Sequence, residues 1–257
     1  MTDWDSYFEY ELLHREHEPL DFRRWKRASQ RALRELYPAD EVHILDATCG
    51  LGDHTVNLAE LGFRTQASDR SAVARAATSR AVAKATLSVP VHDLLWEKLG
   101  ETFPSAFDLV WNDAIHWIET EDAMHEALQG SRDALKPNGA LVFFFADGRE
   151  PDEGAGMRIL EWDREHLAPD EIAWTHGDVT HRIVRTFGPS HIDETHRFTH
   201  RNADQITREL EIAMRRIYRW DFHAMREATK RAGFSELKSD VFTNDKGHSF
   251  AMNRAIR

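Results

Sequence analysis

The residues of this chain best suited to chemistry lie in Ile44-Leu45-Asp46-Ala47-Thr48-Cys49-Gly50-Leu51-Gly52-Asp53. An apolar run leads there through a glycine-bearing turn into a helical pattern. Such a turn lets a ligand approach the backbone closely, and the N–H groups of the helix start favour a carboxylate or phosphate. Asp69 follows a second apolar run, roughly 20 residues past the turn, where an acid hydrogen-bonds a ribose diol. Asp93 follows a third run, where a side-chain acceptor meets an adenine amino group. Three ligand-facing positions thus fall at the carboxyl ends of three consecutive strands, where open α/β sheets bind. The turn lacks a Walker A lysine and the Gly-x-Gly-x-x-Gly spacing, which disfavours NTPase and dinucleotide readings. Cys49 lies inside the turn. A nucleophilic role would need a base, with His54 and His92 the local candidates; a small, soft residue lining a pocket is the better reading.

The elements that must carry these residues follow from apolar periodicity. Val42 to Ala47, Phe63 to Ser68, Ser88 to Val91, Phe107 to Trp111 and Ala140 to Ala146 read as strands. Helical stretches from about Asp53 to Leu61, Ala72 to Ala85 and Glu121 to Leu135 separate them, and Lys136-Pro137-Asn138-Gly139 reads as a turn. Strands without alternation, separated by helices, imply a parallel sheet covered on both faces. From Ile172 to about Tyr218 the period becomes 2: His181, Ile183, Arg185 and Phe187 share one face, and Leu210, Ile212, Met214, Arg216 and Tyr218 another. A last helix, about Phe222 to Ala232, precedes strands near Glu236 to Phe242 and Ser249 to Arg254. Before all this, Phe22, Trp25, Ser29, Ala32, Leu33 and Leu36 recur at helical spacing, and Pro38 closes that helix. The expected fold is α/β: a Rossmann-like, doubly wound, seven-stranded, mostly parallel sheet ending in an antiparallel hairpin, with an antiparallel β insertion and an N-terminal helical cap. Residues 1–39 are assigned to the cap, 40–148 and 221–257 to the ligand-binding domain, and 149–220 to the inserted lid.

Composition narrows the partners. Of 257 residues, 33 are Lys or Arg and 44 Asp or Glu, a formal charge of −11. That balance disfavours a nucleic-acid partner despite the basic cluster from Arg23 to Arg34, because phosphate binding needs clustered cations. The single cysteine excludes an intramolecular disulfide and any multi-cysteine metal site. The acidic start, Met1-Thr2-Asp3-Trp4-Asp5, leads into no signal-like apolar segment, and Ala140 to Ala146 is too short to span a bilayer. A cytoplasmic protein without a membrane partner is expected. His176, His181, His191, His196 and His200 gather in the insertion. Residues i and i+4 of a strand lie roughly 13 Å apart, so His196 and His200 cannot chelate one ion alone. Solvated strand faces explain them, and no metal is expected.

The run from Asp46 to Gly52, with Asp69, Asp93, Phe107-Asp108-Leu109-Val110 and Leu135-Lys136-Pro137-Asn138-Gly139, resembles class I S-adenosylmethionine-dependent methyltransferases. The β insertion before the last helix, the aromatic N-terminus and Asn112-Asp113-Ala114-Ile115-His116-Trp117 resemble the glycine/sarcosine N-methyltransferase group most. Thr48 departs from the pattern, standing where most class I enzymes carry a glycine. The resemblance implies S-adenosyl-L-methionine as cofactor, with Asp46, Gly50 and Gly52 shaping its methionine pocket; Cys49 would then line that cofactor pocket. It implies Asp69 on the ribose, Asp93 and the Leu94 backbone at adenine, Asn112 beneath the methyl donor, and Arg24 on the cofactor carboxylate.

Methyl transfer needs alignment above all, worth on the order of 7–11 kcal/mol. An ammonium acceptor must also lose a proton, which makes His116 the candidate base or orienter. Trp117, Trp174 and Tyr218 could wall the pocket and hold a cation, and Tyr7 and Tyr10 could close over it. Arg149, or Arg182 and Arg185, could hold a substrate carboxylate. The expected activity is methylation of a small amine or amino-acid-like nitrogen. Oxygen methylation, nucleic-acid methylation and cofactor binding without catalysis stand as alternatives. The resemblance also allows a homo-oligomer with exchanged N-termini.

Overall fold

The computed structural model describes residues 3–14, 29–144, 160–161, 164–165, 172–176, 179–202, 205–243 and 249–257. Seven strands form the main sheet: β1 His43–Asp46, β2 Arg64–Asp69, β3 Val91–Asp93, β4 Phe107–Asn112, β5 Leu135–Phe143, β10 Glu236–Thr243 and β11 Ser249–Ile256, in the order β10-β11-β5-β4-β1-β2-β3. β1 to β5 pair in parallel, and β11 runs antiparallel to both β5 and β10. The order reverses between β1 and β4, which opens the sheet's crevice at their carboxyl ends. This is the doubly wound fold with a terminal antiparallel pair that the sequence implies.

The apolar strands are buried on both faces, as their lack of alternation requires. On one side Leu45, Val110, Leu141 and Phe143 pack with Met124 and Leu128 of α6 (Glu121–Ala134) and Met225 of α7 (Phe222–Arg231). On the other, Ile44, Leu109, Trp111 and Val142 pack with Leu58 of α3 (Asp53–Glu60) and Leu33 of helix α2 (29–36). α4 (Ala72–Lys84), whose Ncap Ser71 accepts from Ala74 N–H, packs on β2 and β3 at the sheet edge, and the short α5 (Leu99–Thr102) packs on α6. No described helix is long and apolar enough to cross a membrane.

Three expectations are corrected. The third strand begins at Val91 rather than Ser88, because Pro90 has no N–H to give the ladder; Ala67 N–H still donates to Pro90 O at 2.9 Å. Lys136 to Gly139 is no separate turn. It lies within β5, where Asn138 takes φ +66° and the register to β4 shifts between Phe107 and Leu109. A first helix, α1 (Trp4–His14), precedes the one expected from Phe22 to Leu36. Of the latter, residues 29–36 are helical and end before Pro38, while 22–28 lie outside the described residues.

Between β5 and α7 stands a second, four-stranded antiparallel sheet: β6 Ile172–His176, β7 Val179–Phe187, β8 His191–Asn202 and β9 Gln205–Ile217. Its register places Arg185, Glu194 and Met214 in one cross-strand row, Ile183, His196 and Ile212 in the next, then His181, Phe198 and Leu210. These rows form the inner face. Arg182, Val184, Arg197 and Glu211 point to solvent on the other.

Candidate functional site

The turn after β1 builds the first half of the site. Gly50 and Gly52 adopt φ +49° and +91°, conformations that cost an L side chain about 1–2 kcal/mol. A Cβ on Gly50 would stand 3.2 Å from the Phe8 ring, and one on Gly52 3.0 Å from Thr78 Cα. The turn is therefore wedged between α1 and α4. Gly52 is the Ncap of α3 and supplies no side-chain cap, so the first N–H groups of that helix are left for other partners.

Asp46, fully buried at the end of β1, accepts from Thr48 N–H at 3.2 Å and from Thr55 Oγ1 at 2.6 Å. Burial raises its carboxyl to about 6, against the favourable influence of His54 and Thr55. Asp69 closes β2. It accepts from Gly50 N–H at 3.1 Å and Ser71 N–H at 2.9 Å, which ties the two strand ends together. Burial raises this carboxyl too, while those two N–H groups oppose the shift. The two bonds use about two of a carboxylate's four lone-pair positions, leaving acceptors for a diol.

Asn112, the last residue of β4, is fully buried; its Oδ1 accepts from Ala114 N–H at 3.1 Å, while Nδ2 has no hydrogen-bond partner. Asp113 follows it and was missed in the sequence. Its Oδ1 accepts from Thr48 Oγ1 at 2.7 Å, and its Oδ2 lies 2.7 Å from His54 Nε2. Gln30 Nε2 of α2 lies 2.6 Å from His54 Nδ1 and 3.3 Å from His54 O. The amide of Gln30 thus holds the imidazole in place beside the Asp113 carboxylate. Asp113 also bears electrostatically on Asp46, Asp69, Tyr7 and His116, which makes it the hub of the site.

The other expected residues take varied places. Cys49 is buried, and burial, then Asp46 and Asp69, raise its thiol far from the thiolate form; His92 contacts Gln66 and His54 faces Asp113. Asp93 sits at the tip of β3 with its side chain 73% exposed and paired to Arg75 Nη2 at 2.9 Å. Leu94 packs at the edge of the core. Arg24, Arg149 and the Trp174 side chain lie outside the described residues.

His116 lies in the turn Ile115–Trp117 that follows β4. Its Nδ1 is buried without a hydrogen-bond partner, and burial lowers the imidazole to about 4, although Asp113 pulls the other way. At neutral pH the ring is uncharged.

The N-terminal helix joins this half to the inserted sheet. Asp5 accepts from Ser71 Oγ at 2.5 Å beside Asp69, and Phe8 lies on Gly50. Further along, Tyr7 donates to Glu11 at 2.7 Å, Trp4 meets Trp117 edge-on, and Tyr10 stacks on Phe198 with centroids 3.5 Å apart. Burial raises the hydroxyls of both tyrosines. Tyr7, Tyr10 and Trp117 all pack against Phe198, Ile212 and Met214 of the inner face. Tyr218 lies elsewhere, buried with Leu160 and Ile192 and accepting from Arg216 Nη1 at 3.4 Å. Arg182 is on the exposed outer face. Among the described residues no group of three or more His, Cys, Asp or Glu side chains is placed to hold a metal ion.

The donor set suits a cationic nucleoside. Three neighbouring carboxylates, Asp46, Asp69 and Asp113, favour positive charge. Asp69 keeps acceptors for hydroxyls, and the orphaned Asn112 Nδ2 offers a donor.

Residues 44–139 match the model of a family described as a methyltransferase domain. No curated protein matches the sequence. Among solved structures, an S-adenosylmethionine-dependent methyltransferase from Clostridium acetobutylicum superposes with TM-score 0.67 at 15% identity, over 96% of this chain and 95% of that one. A sugar N-methyltransferase from Streptoalloteichus gives 0.66 at 16% identity, over 97% and 92%. An amino pentose methyltransferase from Micromonospora echinaspora, solved with S-adenosylmethionine bound, gives 0.65 at 17% identity, over 96% of both chains. At these identities the likeness establishes a shared fold.

Proposed function

We propose that this chain, whose residues 44–139 match a methyltransferase domain, is an S-adenosylmethionine-dependent methyltransferase that acts on a nitrogen of a small amine or amino-acid-like molecule. One observation carries the reading. The carboxyl ends of β1, β2 and β4 converge at the switch point of the sheet, where Gly50 N–H bonds Asp69 and Asp113 joins the turn through Thr48. Bound there, S-adenosylmethionine would supply an electrophilic methyl group.

The chain's own residues do the rest. Asp69 offers acceptors to the ribose hydroxyls, the turn 47–52 and Asp46 shape the methionine pocket, and Asp113 and Asn112 face the reacting end. Phe8, Tyr7 and Trp117 exclude water above it. Alignment of the nucleophile in that shielded space supplies the larger part of the rate. His116, uncharged at neutral pH, offers its unpartnered Nδ1 to a proton on the acceptor nitrogen. The nitrogen preference draws support from the sugar N-methyltransferase and the amino pentose methyltransferase of the same fold.

Calorimetry with S-adenosylmethionine and S-adenosylhomocysteine, on wild type and Asp69→Ala, tests the cofactor. Wild-type protein that ignores both would end the reading. Turnover over matched panels of small amines and alcohols tests the acceptor, and methylation confined to the alcohols would replace nitrogen by oxygen.

A further inference from the structure

The inner face of the inserted sheet buries charges that cofactor binding does not account for. Arg185 and Glu194 are register partners on β7 and β8, with side chains 8% and 3% exposed. Arg185 Nε donates to Glu194 Oε1 at 2.7 Å; Arg216 Nη2 donates to Oε2 at 3.2 Å, and His196 Nε2 lies 3.4 Å from the same oxygen. His196 Nδ1 in turn lies 3.1 Å from His181 Nε2. One carboxylate thus serves two guanidinium groups and an imidazole. Arg185 Nη1 is left buried without a hydrogen-bond partner.

A buried charged donor without an acceptor is costly, and native folds keep one where something else supplies the acceptor. The place is telling. Met214, the register partner of Glu194, belongs to the cluster that Tyr7, Tyr10 and Trp117 cover, and the charge of Arg216 bears on His116. Arg185 is therefore on the face turned toward the acceptor end of the site. Its Nε is pinned by Glu194, which holds the unpartnered Nη1 of the same rigid fork ready for a second anion.

Resting on the reading of this chain as a small-molecule methyltransferase, we infer that the methyl acceptor carries an anionic oxygen group, a carboxylate or a phosphate ester, which Arg185 holds. Recognition by a pre-oriented guanidinium would fix the acceptor at its far end and leave its nucleophile to the His116 turn. Glu194 competes for the same cation and keeps it oriented when no acceptor is bound.

The test is calorimetric titration of the enzyme, saturated with S-adenosylhomocysteine, with benzoate, phenyl phosphate and neutral benzamide. The anions should bind at least tenfold more tightly than benzamide, and the stronger of the two names the group. Arg185→Gln should lose that tenfold preference, Arg185→Lys should keep part of it, and Glu194→Gln should tighten anion binding by freeing the guanidinium. Should Arg185→Gln fail to fold, the opposite effects of the other two variants decide; a loss in both marks a merely structural role and overturns the inference. Equal binding of benzamide and the anions, or anion binding indifferent to Arg185→Gln, overturns it as well. Wild-type protein that does not bind S-adenosylhomocysteine overturns the cofactor reading beneath it instead.

Discussion

His54 Nε2 lies 2.7 Å from Asp113 Oδ2, which brings the helix that follows the glycine turn against the loop that follows β4. Gln30 orients the imidazole from a third element. The three residues hold a carboxylate at the hub of the site, where positive charge is favoured. Asp113→Asn should weaken S-adenosylmethionine binding by ten- to a hundredfold, about 1.4–2.7 kcal/mol, in the range of hydrogen bonds to charged groups. S-adenosylhomocysteine, which lacks the sulfonium charge, should lose less. Gln30→Leu should move the same ratio in the same direction, by less. Calorimetry with both ligands checks it, and equal losses for the two would remove the charge argument.

Gly50→Ala and Gly52→Ala should each destabilise the protein by about 1–2 kcal/mol from the positive φ alone. Gly52→Ala should cost more, because its Cβ meets backbone at Thr78, whereas the Phe8 ring beside Gly50 can shift. Urea midpoints of the two variants give the ranking. A milder effect at Gly52 than at Gly50 would contradict it.

Acid stability carries three signed contributions. Burial pushes the Glu194 carboxyl up, but His196, Arg216 and Arg185 outweigh it and hold the group at about 2, below its ordinary 4.5. Its contribution, about 3 kcal/mol, is whole above pH 4.5 and lost as pH falls through 2. His116, lowered from 6.5 to about 4, likewise contributes in full above pH 6.5 and less as pH falls toward 4. Asp46, raised from 3.8 to about 6, acts oppositely: its contribution is present below pH 3.8 and lost as pH rises through 6. The His116 and Asp46 contributions should therefore nearly cancel between pH 6 and 4, and the Glu194 contribution should fall steeply below 4. Urea titrations across pH 3–7 should show Glu194→Gln flattening the steep limb and His116→Gln leaving it intact.

Catalysis should follow the same histidine. Because the imidazole stays neutral down to about 4, the acid limb of kcat should lie well below the ordinary histidine range. His116→Ala should lower kcat with little change in the affinity for S-adenosylhomocysteine. A limb near pH 6.5 in wild type would assign the proton to another group.

Tyr10→Ala removes a stacked pair with Phe198, worth about 0.5–1.5 kcal/mol beyond buried area. Hydrogen exchange over residues 4–14 should speed up in this variant, and S-adenosylhomocysteine should slow it again. Unchanged exchange would mean that Phe8 and Asp5 alone anchor the helix.

The strand–turn–helix succession was legible because each part writes a local pattern: apolar runs for β1, β4 and β5, glycines at positive φ in the turn, and period 2 through β7 to β9. The third strand was misplaced by a proline's missing donor, a detail that periodicity ignores. The first helix carries no clean apolar stripe; its aromatic residues face two different partners, the turn at Gly50 and the inner sheet, so no single-face pattern marks it. The Gln30–His54–Asp113 chain joins three segments through tertiary packing, and nothing local in any of them reveals it. Alternation put Arg185 and Arg182 on opposite faces, yet which face turns inward is decided by the docking of Tyr7, Tyr10 and Trp117.

That docking has an evolutionary consequence. Phe8 lies on the Gly50 turn and Tyr10 on the inner face of the inserted sheet, two residues apart on one helix. A lineage adapting to a new acceptor by reshaping the Tyr10 contact tilts the same rod that rests on Gly50. On the function proposed above, a change at either contact should shift cofactor affinity and acceptor range together, and a second substitution at the other end of the helix should compensate it.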